Sequence, residues 1–243
     1  MPNNDFNQPM AKQVQVQDLG QMSYAAAFKR QQEAQAQVIE ARGTSAVSQP
    51  TLFLVEHNPP VITMTRRPGV ADHLTALPQQ LASAGVEVVE TNRGGDITYH
   101  GPGQLVGYVI IDLNLLKFRI DSYMRWLESI VIATLKMYGI AGQRDTCATG
   151  VWIPNQQDGP DAKICAMGVR VSRWVSMHGL ALNVTTDLSH FDFIVPCGLA
   201  GRPVTSLKQQ LGDSCPTIDQ VKNEFVKCFL EAYEIRKAEV GSQ

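Results

Sequence analysis

Apolar and polar positions repeat along this chain with two periods, and together they predict helices around a strand-rich middle. Asp121 to Tyr138 carries Tyr123, Leu127, Ile130, Val131, Leu135 and Tyr138 on one helical face, with Gly139 beyond its end. Tyr24 to Arg42, rich in Ala, Gln, Glu and Arg, closes at Gly43 and predicts a first helix. Pro78 opens a short helix that runs to Gly85. Thr217-Ile218-Asp219-Gln220 is a capping box that opens a last helix, with Ile218, Val221, Phe225, Phe229 and Ala232 on one face.

Between the helices the period falls to two. TLFLVEH (51–57) and VITMT (61–65), separated by Asn-Pro-Pro, predict adjacent strands joined by a tight turn, and VEVVET (86–91) a third strand. Residues 150–184 divide into GVWIP, AKICAMGVRVS and VSMHGLALNV, three strands of an antiparallel meander. Residues 1–17 are polar and aperiodic and predict a flexible tail; 18–243 then form a single domain. No repeat or linker divides the pattern. The expected class is α+β, with helices packed on a largely antiparallel or mixed sheet.

Composition narrows the function. The 243 residues carry 21 Lys+Arg against 23 Asp+Glu, a net charge of −2, which excludes a polycation built to coat nucleic acid or an anionic membrane. The start, MPNNDFNQPMAKQ, lacks the pattern of a secretory signal, and the longest apolar run, Leu105 to Ile111, stops at Asp112. Five cysteines, at 147, 165, 197, 215 and 228, include no C-x-x-C, so neither a disulfide framework nor a cysteine-rich zinc site is expected. These features predict a cytoplasmic protein of a reducing compartment.

Three segments carry candidate chemistry. In Arg93-Gly94-Gly95-Asp96-Ile97-Thr98-Tyr99-His100 the glycines leave room for a ligand to approach the backbone, while Arg93, Tyr99 and His100 supply hydrogen-bonding groups; a tight turn with a structural histidine is the alternative. No Lys-Ser/Thr follows the glycines, so this is not a phosphate loop. In the second segment, alternation places Lys163, Cys165, Met167 and Val169 on one strand face, where a lysine is out of place unless it lies at a solvated edge. Gly168 and Gly179 interrupt both strands, and His178 is a second candidate base, with a satisfied core histidine as the alternative. In the third, Cys197 stands between Pro196 and Gly198, a constrained turn that can present a nucleophile; the other four cysteines lack such a setting. A thiol that is mostly protonated at neutral pH needs a partner, and Lys163, His178 and His100 are available.

RGGDITYHGPGQL (93–105), TGVWI (149–153), KICAMGVRV (163–171), HGLALNV (178–184), PCG (196–198) and VTSL (204–207) occur in the order seen in the lipoyl(octanoyl) transferases, and the chain resembles that family from about Leu19 to its last helix. The resemblance implies a fold like that of biotin and lipoate protein ligases. It implies transfer of an octanoyl group from octanoyl-acyl carrier protein to a lysine of the lipoyl domains of 2-oxoacid dehydrogenases and of the glycine cleavage H protein, with no cofactor, no metal and no ATP. Cys197 would be the nucleophile that forms an acyl-thioester, and Lys163 the residue that favours its thiolate and handles protons. Arg93 to His100, Ala166-Met167-Gly168 and His178-Gly179-Leu180-Ala181 would bind substrate. A monomer that binds neither nucleic acid nor membrane is expected. Two rivals stay open at this point: an ATP-dependent ligase of similar fold, and a non-catalytic module that holds acylated carrier or lipoyl domains.

Overall fold

A computed structural model describes residues 14–42, 44, 49–155, 157–196 and 201–242. A seven-stranded mixed sheet runs β1(Gln15–Met22), β2(Thr51–His57), β6(Gln104–Ile110), β10(Val175–Asn183), β9(Ala162–Ser172), β8(Val151–Ile153), β7(Gln143–Arg144) in spatial order. A second sheet has three strands, β4(Glu87–Thr91), β3(Val61–Thr65) and β5(Ile97–His100), with β3 in the centre.

Alternation assigns the two faces of the large sheet. Leu52, Leu54, Leu105 and Val109 turn to a core shared with α3(Ile120–Lys136), Leu207 of the short α4(Leu207–Leu211), and α5(Ile218–Gly241). Phe53, Val55, Val106 and Ile110 turn to the opposite side, against Ala27, Ala34 and Val38 of α1(Tyr24–Glu40). The α5 capping box forms, with Thr217 and Gln220 satisfying each other's backbone N–H. The small sheet packs Ile62, Ile97 and Tyr99 against Leu81 of α2(Pro78–Ser83) and against Phe191 and Ile194. The 150–184 meander is present, β9 pairing antiparallel with both β8 and β10. No helix among the described residues is long and apolar enough to cross a membrane.

Two expectations are corrected. The strands at 51–57 and 61–65 are not neighbours: β2 joins the large sheet beside β6, whereas β3 lies in the small sheet, parallel to β4 and antiparallel to β5. Pro59 and Pro60 bring no N–H to a hairpin ladder, so the chain leaves one sheet and enters the other there. It crosses back between β5 and β6 at Gly101-Pro102-Gly103. The second correction is at the start of the domain. Gln15 to Gln17, read as tail, begin β1, which pairs in parallel with Thr51 to Phe53 through backbone groups that polar side chains do not block.

Candidate active site

The double crossing leaves a cleft between the sheets. Its floor is the large sheet, where β6 supplies Val106 and Tyr108, β9 supplies Ala166, Met167 and Gly168, and β10 supplies His178, Gly179, Leu180 and Ala181; Arg93, Gly95, Asp96, Ile97, Thr98 and His100 form the opposite wall. The pocket holds about 480 Å³ of empty space, mouth included, and its lining is mostly apolar. Nearly all of the expected substrate-binding residues meet here. Gly94 instead faces an adjoining groove. Tyr99 is turned away: on β5 it alternates with Thr98 and His100, so its ring packs against Phe191 and its hydroxyl bonds His190 Nδ1 at 2.8 Å.

The glycines serve close backbone contact. Gly94 N–H donates to Val169 O at 2.9 Å, and a Cβ on Gly168 would lie 2.6 Å from Gly94 O, so the Arg93–Asp96 loop lies directly on β9. Arg93 ties that loop to the small sheet through Thr63 O and Thr63 Oγ1, at 2.8 and 3.0 Å. Asp96 accepts from its neighbour's Ile97 N–H and bonds His73 Nδ1.

Sequence reasoning missed the polar lining contributed by the α1 side. Tyr24, Tyr108 and His57 belong to no motif; only the fold brings them to His178 and His100. His57 Nδ1 faces the Met22 carbonyl at 3.1 Å and must donate, so Nε2 accepts the Tyr108 hydroxyl at 2.6 Å. His178 Nε2 donates to Asn92 Oδ1 at 2.9 Å, and its own backbone N–H goes to Gln31 Oε1. Burial pushes His57 down to about 4; burial, with Arg93 and Arg170 adding to it, pushes His178 down to about 3. His100, buried and beside His57, is also held far below its ordinary value. These histidines are neutral, His100 and His178 within the lining and His57 behind it, and His178 is a weak base.

Lys163 is 6% exposed, which removes the solvated-edge alternative. Its face differs from the one alternation predicts. Val151 pairs with Cys165 and the next residue, Trp152, with Lys163, so Ile164 is the extra residue of a bulge and the faces on its two sides are out of step. Cys165 points into the α3–α5 core, where burial pushes its thiol up to about 12. Lys163 instead lines, with Ala166 and Ala181, a recess that continues the pocket, and it also faces the open groove that holds Gly94, Met167 and Cys147. Its Nζ stands 4.5 Å from the centroid of the Trp152 ring. Gly150 must be glycine here, since its φ is +129° and a Cβ would meet Cys165 O at 2.6 Å.

Cys197 lies outside the described residues, as does Gly198. The chain on either side of them is held to the cleft: Val195 N–H donates to His73 O at 2.8 Å, and Thr205 N–H to Lys163 O at 2.9 Å. Among the described residues no group of three or more His, Cys, Asp or Glu could hold a metal ion.

A buried amine placed between a largely apolar pocket and an open groove is the arrangement of an enzyme site with room for an apolar substrate. Residues 23–230 match the family of the lipoyl protein ligase A/B catalytic domain. Octanoyltransferases of Flavobacterium johnsoniae and Koribacter versatilis are 43% and 45% identical over 232 and 210 residues, which is 93% and 86% of this chain and 98% and 79% of theirs. Among solved structures, the bipartite lipoate protein ligase of Thermoplasma acidophilum, described with its E2 lipoyl domain, has a TM-score of 0.67 at 18% identity, covering 91% of this chain and 84% of that one. A lipoate-protein ligase A bound with ATP has a TM-score of 0.64 at 17% identity, covering 91% and 85%. The chain belongs to the lipoyl protein ligase A/B catalytic domain family. Within it the chain sides with the octanoyltransferases, and its reaction is acyl transfer.

Proposed function

We propose that this protein moves an octanoyl group from octanoyl-acyl carrier protein to a lysine of lipoyl domains, those of 2-oxoacid dehydrogenases and the glycine cleavage H protein, as a cytoplasmic monomer and without a nucleotide. The observation that carries the reading is the position of Lys163, a buried amine bonded through its backbone to the chain just beyond Cys197, at the junction of pocket and groove.

The Lys163 ammonium favours the Cys197 thiolate, which attacks the thioester carbonyl of the donor. The carrier's sulfur leaves and takes a proton from Lys163, so one thioester replaces another at little cost. The acceptor amine then attacks the acyl-cysteine, gives a proton to Lys163, and displaces the Cys197 thiolate as the amide forms. Thioester to amide is downhill, so no ATP is consumed. The octanoyl chain lies in the pocket, each buried methylene contributing up to about 0.8 kcal/mol.

Intact mass spectrometry tests this. Incubation with octanoyl-acyl carrier protein, free of ATP and Mg²⁺, is expected to add one octanoyl group to wild-type protein and to Cys165→Ala but none to Cys197→Ala. A lipoyl domain added next is expected to take the group up. An adduct on Cys197→Ala, or strict dependence on ATP, overturns the assignment.

A further inference from the structure

We infer that Asn183 is the positioning residue that fixes Lys163 and the chain following Cys197 in register with one another; this rests on the Lys163–Cys197 reading above. The ladder between β9 and β10 ends at Cys165 and Leu182. Beside Lys163, the place that β10 would occupy is taken by Pro203 to Thr205: Lys163 N–H donates to Pro203 O at 2.8 Å, and Val204 forms a parallel bridge with Lys163. Two strands that part in this way leave a seam of backbone groups that the regular ladder no longer pairs. Asn183 closes it.

Its Nδ2 donates to Thr205 O at 3.0 Å, while its Oδ1 accepts from Gln104 Nε2 at 2.9 Å. Gln104 in turn accepts from His100 Nδ1 at 2.8 Å and donates to Tyr99 O. The chain of bonds therefore runs from the pocket wall at His100 through Gln104 and Asn183 to the strand that grips Lys163. Asn183 and Gln104 are 4% and 1% exposed, so water cannot replace a lost partner without entering the recess. The position needs an amide, because one end must accept and the other donate. An aspartate would keep the bond from Gln104 but set a second acceptor against the Thr205 carbonyl.

The test compares Asn183→Asp and Asn183→Ala with wild type and Lys163→Ala. The first readout is single-turnover acylation of Cys197 at varied octanoyl-carrier concentration, by intact mass; the second is the pH profile of Cys197 alkylation by iodoacetamide. Both Asn183 variants are expected to acylate about 10- to 100-fold more slowly at saturating donor, with half-saturation unchanged. Their alkylation midpoint is expected to rise by about one pH unit, in the direction of Lys163→Ala, because the ammonium no longer sits in place. A role confined to stability would lower the melting temperature and leave the midpoint where it is. Asn183→Ser replaces either variant if that variant does not fold, with the same outcome expected. A wild-type midpoint in the Asn183 variants alongside a shifted one in Lys163→Ala overturns the positioning role alone, as does wild-type behaviour of Asn183→Asp. An unshifted midpoint in Lys163→Ala removes the Lys163–Cys197 reading, and this inference with it.

Discussion

Ile164 decides where Lys163 points. The strand pattern around Lys163 was legible in the sequence, but its direction was not, because a one-residue bulge leaves no mark on a hydrophobic pattern that stays apolar through Ile164 and Cys165. Tyr24 and Tyr108, which line the pocket, and His57, which packs against them and His100, come from three separate elements that no local pattern joins. The glycine-rich stretches were legible as unusual, yet their reason is partly different from the one expected: Gly168 lines the pocket, but its missing Cβ makes room for the Gly94 carbonyl. Gly168→Val is therefore expected to lift the Arg93–Asp96 loop off β9 and destabilise the protein by about 1–3 kcal/mol, not merely to shorten the accepted chain. Thermal unfolding together with six-, eight- and ten-carbon donors checks this; an unchanged melting point with a shortened optimum would show a simple channel plug. At Lys163 itself, arginine keeps a cation but holds its proton, so in Lys163→Arg the carrier's sulfur leaves as a thiolate and is protonated by water, and the acyl-cysteine is expected to form and then stall. Following Cys197 acylation and acceptor acylation separately by mass decides it, and rapid turnover would return the proton-accepting role to another group.

An element is legible where its own sequence settles it and hidden where its pairing is distant. The α3 and α5 faces and the β8–β9–β10 meander follow from local period, capping and short turns. The allocation of β2 and β3 to different sheets depends on partners far along the chain, Val106 to Ile110 for one and Glu87 to Thr91 for the other. β1 is attached late in the sequence as well. Lys222 of α5, 5% exposed, places its Nζ 3.2 Å from Asp18 of β1 and 3.7 Å from Glu56 of β2. Glu56 also accepts the Gly103 N–H at 2.9 Å, where the chain turns back into the large sheet. Lys222→Met keeps the buried stem but takes their shared cation from Asp18 and Glu56, and from the exposed Asp219 at 3.6 Å, and is expected to cost about 2–4 kcal/mol. Denaturant unfolding measures it. Recovery in the double variant with Glu56→Gln would confirm that the loss is electrostatic; no loss in Lys222→Met would mean that β1 and α5 are held by packing alone.

For the molecule as a whole, the neutral histidines between the sheets set an acid limit. His57 and His178 lie at about 4 and about 3 in the folded protein against 6.5 for the free side chain, with burial the main cause in both. The unfolded chain therefore takes up these protons below about pH 6.5, whereas the folded protein refuses them until the pH is near the lower values. Their neutral burial carries no penalty above pH 6.5 and an increasing one below it, each histidine removing up to about 1.4 kcal/mol of stability per pH unit. His100 acts in the same direction. Two units of acidification then remove on the order of 5 kcal/mol through His57 and His178 alone, comparable to the whole stability of many domains. The expected result is a stability that is flat from about pH 8 to 6.5 and falls steeply toward pH 4.5. Urea unfolding across that range, repeated with His57→Gln, gives the test. The variant should flatten the acid limb by about one proton's worth of slope, and an acid limb of equal slope in both proteins would mean that His57 is not buried in its neutral form.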